Sequence, residues 1–152
     1  MEGVLGAAAA WLDAAGVRAW AGGPAYPWIN TAHLLGLVML VGGIGVVDLR
    51  VLGAWRMLPL PELSRALTPV ALAGLAILLP SGLLLFAADG ATLAGSAIFT
   101  AKLMLIALAL ANALAFRMLS VASRSPVARV QAAASLALWL TVGALGRFIA
   151  YA

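Results

Sequence analysis

The sequence predicts an all-α integral membrane fold, an up-down bundle of four transmembrane helices preceded by an interfacial helix. Three observations carry that expectation. Of the 152 residues, 65% are hydrophobic and only 9% charged, with a mean hydropathy of +1.12. A soluble domain carries about 25% charged residues, so too few polar side chains exist here to cover a water-facing surface. Four runs also reach the roughly 20 apolar residues that a bilayer-spanning helix needs, and proline, glycine and charged residues separate them.

Residues 1–27 form the first segment. Trp11, Leu12, Val17 and Trp20 alternate with Asp13 and Arg18 in Ala-rich sequence, too polar and interrupted to span. The pattern predicts a helix lying in the membrane interface, broken at Gly16. No Lys or Arg precedes Arg18, so the basic region of a secretory signal peptide is missing and the segment is expected to be retained.

Residues 28–152 form the transmembrane domain, with spans expected at about 28–47, 67–87, 97–116 and 130–150. Gly22, Gly23, Pro24 and Pro27 break the chain before the first span. Asp48 and Arg50 close that span as a charged stop with a local ion pair, and Pro59 and Pro61 lie in the following connection. Asp89-Gly90 and Gly95-Ser96 mark a turn between the second and third spans, and residues 123–126 separate the third from the fourth. Only a helix satisfies its own backbone in lipid, and short connections make neighbours antiparallel.

Orientation follows from the basic residues. Arg50, Arg56 and Arg65 flank one connection, and Arg117, Arg124 and Arg129 flank another. The opposite side has Arg18 and Arg147, and its 87–97 turn has no basic residue. The positive-inside rule puts the Arg-rich connections in the cytoplasm and both termini outside, which fits a bacterial inner membrane. Tyr26, Trp28 and Tyr151 suit the outer interfacial belt. The basic residues are thus a topology signal, and no nucleic-acid partner is expected. The lack of cysteine excludes disulfides, thiolate metal sites and Cys nucleophiles.

Ionisable and strongly polar residues inside spans are costly and usually face the bundle interior. The candidates are His33, Lys102, Asn112 and Arg147, accompanied by Asn30, Thr31, Ser81 and Thr141. His33 lies about 8 Å below the outer end of its span at 1.5 Å per residue. Antiparallel topology brings Lys102 and Arg147 to a comparable depth. Gly36, Leu40 and Gly43 follow His33 along one helix face, leaving room for something flat.

Such an arrangement suits haem b, with His33 as axial ligand, Gly36 and Gly43 against the porphyrin, and Lys102 and Arg147 toward the propionates. A single histidine forbids bis-histidine ligation within one chain. The second ligand would be Met104, a water, or His33 of another subunit; Met39 faces largely away. Copper is the weaker alternative, because one His and scattered Met residues make a sparse site. Two other readings stand beside the cofactor: glycines that permit close helix packing around a hydrogen-bonded histidine, and a proton- or ion-handling site. Lys102 and Arg147 then only snorkel to headgroups.

Asn112 is expected to bridge helices, and Ser81, between Pro80 and Gly82, to help satisfy backbone groups freed by a kink. No nucleotide loop, Ser/His/Asp set or zinc motif occurs, so no catalytic activity of its own is expected. The absence of acidic residues from the predicted spans argues against a carboxylate-based proton pump.

The stretch from Tyr26 through His33 to Gly36, followed by Val47-Asp48-Leu49-Arg50-Val51-Leu52-Gly53, resembles a family of small bacterial membrane proteins of unassigned function. That family is distantly similar to the copper-resistance D type of membrane domain. Pro80-Ser81-Gly82 to Phe86, and Phe99-x-x-Lys102-Leu103 with Asn112, match its general pattern. Asn30 departs from it, standing where an acidic residue is the rule. The resemblance covers most of the chain after residue 20 and implies a four-helix fold and membrane location, without a reaction. The functional expectation is a haem b-binding or accessory electron-transfer subunit. The alternatives are a structural subunit of a larger membrane complex, and a small metal- or ion-handling protein that would require an oligomer.

Overall fold

The computed structural model describes residues 1–119 and 125–149. The described residues are helical throughout apart from short connections, in the order α1 (Glu2–Ala14), α2 (Val17–Ala21), α3 (Tyr26–Leu52), α4 (Leu60–Ala94), α5 (Ala97–Leu119) and α6 (Pro126–Phe148). The last four are long and apolar enough to cross a membrane. Arg124, Ala150 and Tyr151, which entered the expectations about loops, the fourth span and the aromatic belt, lie outside the described residues.

The helices are longer than the hydropathy pattern alone indicated. Pro27 sits in the first turn of α3, where its missing N–H costs nothing. The helix then continues through Asp48 and Arg50 to Gly53, whose φ of 116° supplies the left-handed cap. Asp48 is therefore inside the helix rather than after it. Helix α4 starts at Leu60, with Pro61 in its first turn, and runs for 35 residues, about 52 Å at 1.5 Å per residue. A hydrocarbon core of about 30 Å cannot contain that length. Asp89-Gly90 is not a turn: Asp89 leaves helical geometry (φ −128°, ψ 22°) and the chain kinks, but helix resumes to Ala94. The turn falls at Gly95-Ser96, where the Ser96 hydroxyl accepts from the Phe99 N–H at 3.2 Å and starts α5.

What carries the helix past Asp89 is tertiary packing. Ala9 of α1 lies against Gly90, and Leu12 packs in a cluster with Phe86 and Ala87. Helices α1 and α2, separated by Gly16 at φ 76°, both rest on this last part of α4. An exposed Arg18–Asp13 ion pair at 3.5 Å spans the break.

The contacts of α3 with α4, α3 with α6 and α5 with α6 run antiparallel. Gly36 meets Gly74 and Gly43 meets Leu67 and Ala71, joining α3 to α4. Gly45 meets Leu136 and Gly143 meets Leu37, joining α3 to α6. The Asn112 amide donates to the Gln131 carbonyl at 3.0 Å, joining α5 to α6. At the centre, Leu40, Ala71, Ala109, Trp139 and Val142 form an apolar core with contributions from all four helices. Helix α5 is the most peripheral: among its described side chains only Ala109 is fully buried.

Candidate functional site

The end of the protein carrying the start of α3 gathers His33, Ser81 and Lys102. His33 projects from α3 toward α4, where its Nδ1 lies 2.9 Å from the Ser81 hydroxyl. Ser81 is buried, and its Oγ also lies 2.6 Å from the Ile77 carbonyl and 3.3 Å from that of Leu78. A serine hydroxyl has one proton to give. With that proton on the short bond to Ile77, Ser81 accepts from His33, so Nδ1 carries the imidazole hydrogen. The neutral ring is thereby held with its lone pair on Nε2, the nitrogen free to bind a metal or accept a proton.

The helix backbone makes this pairing reachable. Ser81 bonds back to Ile77, four residues earlier, a common helical serine geometry. Its neighbour Gly82 has no side chain, and a methyl group there would stand 3.2 Å from His33 Cε1. The imidazole therefore packs closely against α4 at Gly82. Ser81 was expected to serve the backbone around Pro80. It does bond a carbonyl, though that of Ile77 rather than Ala76, and in addition it orients the histidine. Nothing in local sequence indicated that second role, because the partners are 48 residues apart.

Lys102 enters from α5. Its field reaches His33, and its Nζ lies where a methyl group on Gly146 of α6 would approach to 3.1 Å. The half-buried lysine thus crosses to α6 instead of running along its own helix to solvent. Arg147, next to Gly146, is exposed at the same end.

Other predicted members of the site lie elsewhere. Gly36, Leu40 and Gly43 share the His33 face, as their spacing requires, but α4 covers it. A methyl group on Gly36 would stand 2.9 Å from the Gly74 carbonyl oxygen, and one on Gly43 would stand 3.0 Å from that of Leu67. No slot for a flat ligand exists along these glycines. Met104 is 56% exposed and lines an open cleft with Met1, Glu2 and Thr100, which His33 does not line. Asn30 is exposed, and Thr31 and Thr141 bond carbonyls of their own helices.

Asp48 and Arg50 do not pair. The Arg50 guanidinium donates to the Leu58 carbonyl at 2.7 Å and the Arg56 carbonyl at 3.2 Å, fastening the loop after α3. Asp48, four residues before the end of α3, turns inward toward α6. The expected boundary ion pair is replaced by a loop clamp and a buried carboxyl, because the helix continues past the predicted stop. The described residues contain no ion pair to Asp48.

No family model, curated protein or solved structure matches this chain. Among the described residues, no three His, Cys, Asp or Glu side chains converge as a metal-binding group.

Proposed function

We propose that the chain is a small multi-pass protein of the bacterial inner membrane that presents His33 Nε2 as an axial ligand for haem b, acting as an accessory electron-transfer subunit. In this reading the four long helices form an up-down bundle with both termini outside. Helices α1 and α2 then lie at the outer interface and the arginine-flanked connections face the cytoplasm. The proposal includes no catalytic activity of its own.

The carrying observation is the Ser81 contact. A metal-bound histidine usually donates its other ring N–H to a fixed acceptor, which sets tautomer and ring orientation. Ser81, anchored on Ile77, is such an acceptor for Nδ1. Lys102 and Arg147 supply cations at the same end for propionates. Gly36, Gly43 and Met104 drop out of the binding set, because α4 fills the glycine face and Met104 lies in an exposed cleft that His33 does not line. The second ligand is then a water or His33 of another copy. Bound haem would supply a one-electron redox centre; the chain would orient the ligand and balance charge. Copper stays the weaker alternative, with His33 and scattered Met residues as its sparse donors.

The test is an absorption spectrum of detergent-purified protein expressed with haem supply. A Soret band that disappears in H33A and shifts in S81A is expected. Colourless wild-type protein would sink the proposal.

The Gly36–Gly74 and Gly43–Ala71 approaches favour a second reading, in which His33–Ser81 is an interhelical clasp in a structural subunit of a larger membrane complex. Co-purification of a defined partner by colourless wild-type and H33A protein alike would establish it.

A further inference from the structure

Asp48 is the most deeply buried ionisable group that the proposed haem site does not use. It is 5% exposed, and its carboxyl faces the hydroxyl of Ser135, itself 5% exposed, across the α3–α6 interface. Its second oxygen, Oδ2, is buried without any hydrogen-bond partner.

The surroundings provide no compensating cation. On its own helix, Arg50 is committed to the Leu58 and Arg56 carbonyls. On α6, Arg129 donates to the Leu52 carbonyl at 3.2 Å, holding the end of α3. Glu62 and Arg65 of α4 and Arg117 of α5 are exposed, and none of the described cations lies within ion-pair distance. Toward the arginine-rich end, Val51, Ala128 and Ala132 pack with Leu52, Leu60 and Phe116. Toward the His33 end lies the apolar core of Leu40, Ala109, Trp139 and Val142. The carboxyl sits between two apolar plugs.

An unpaired carboxylate in such a place is so unfavourable that it is neutralised. A metal cation is a poor means of doing so: calcium and magnesium need six or more oxygen ligands, and this site offers one carboxyl and one hydroxyl. We propose that Asp48, backed by Ser135, is a proton-binding site at the arginine-rich end of the membrane domain, one that holds its proton at a higher pH than an exposed carboxyl does. The proton comes from water at that end and bonds to Oδ2, while Ser135 holds the other oxygen. A carboxylate and a hydronium become a carboxylic acid and a water, with no redox change. The central core separates this site from His33, 15 residues and about 22 Å away along α3. Asp48 is only four residues from the end of α3, so the arginine-rich end is the shorter way in for a proton. The inference does not depend on haem.

Infrared spectroscopy of the purified full chain tests it. At mildly acidic pH, where exposed carboxyls are still ionised, the wild type is expected to show a protonated-carboxyl C=O band that D48N loses and that D89N, altering an exposed aspartate, keeps. Removing the hydroxyl in S135A should move the band to higher frequency without abolishing it, which provides a reading even if D48N fails to fold. Identical wild-type and D48N spectra would overturn the proposal, as would an S135A band that does not move. A band that vanishes when sodium replaces choline would also overturn it, assigning the site to a metal cation.

Discussion

Gly74 and Gly36 bring the backbones of α3 and α4 into direct contact. A methyl group on Gly74 would stand 2.6 Å from the Gly36 carbonyl oxygen, 2.6 Å from the Leu40 amide nitrogen and 2.8 Å from Met39 Cβ. In a bilayer, lipid tails are as apolar as leucine, so helices associate through packing and interhelical hydrogen bonds, and small residues allow the closest approach. The contact also sets the register that puts Ser81 opposite His33, seven residues further along α4 and three earlier along α3.

Replacing Gly74 by alanine should therefore be severe. The obstructing atoms are backbone and cannot rotate away, so the helices must separate. An overpacking cost of about 1–3 kcal/mol or more is expected. Gly146 provides the contrast: its added methyl would meet only Lys102 Nζ at 3.1 Å, the far end of a flexible chain. Thermal unfolding in detergent should show G74A strongly destabilised and G146A within about 0.5 kcal/mol of wild type. Equal effects would contradict the backbone-contact account.

These glycines show which parts of the molecule local sequence can express. Hydropathy locates four long helices, Gly16 marks the break between α1 and α2, and Asn112 has too few uses in a helix other than reaching a neighbour. Spacing also puts His33, Gly36 and Gly43 on one face, because 3.6-residue periodicity is a local property. What covers that face is not local. Room beside a histidine and room for another backbone look identical until α4 is in place. Asp48 misleads for a related reason: a charge after an apolar run reads as a boundary, and only Ser135 on α6 makes an inward position intelligible. Likewise Asp89-Gly90 has turn composition, yet Ala9 docking on Gly90 keeps α4 helical beyond it.

The Ser81 hydroxyl is assigned a role that nitrogen chemical shifts can read. With Nδ1–H donated to Ser81, the neutral imidazole of labelled wild-type protein should be in the Nδ1–H form. S81A removes the acceptor and should let the usual tautomer mixture appear, at a stability cost of about 0.6–2 kcal/mol for the interhelical bond. A ring already mixed in wild type, or unchanged in S81A, would show that Ser81 does not fix it. Stability alone would not distinguish the cases, since a merely structural hydrogen bond costs the same.

The peripheral helix α5 makes a sharper test of how the bundle is joined. Its backbone approaches α6 far more than α4, but Phe99 stacks on Phe86 of α4 with ring centroids 5.4 Å apart and planes 9° from parallel. Phe86 is also part of the cluster that receives Leu12 of α1. The pair thus ties α5 and the N-terminal helices to the same end of α4. Aromatic pairs contribute about 0.5–1.5 kcal/mol beyond their burial, so a double-mutant cycle of F86A and F99A should return a coupling in that range. Hydrogen exchange should meanwhile rise in α1 for F86A more than for F99A, because only Phe86 is a buried member of the α1 cluster. Additive losses, with no coupling, would mean that the stack is a geometric accident and that α6 alone holds α5.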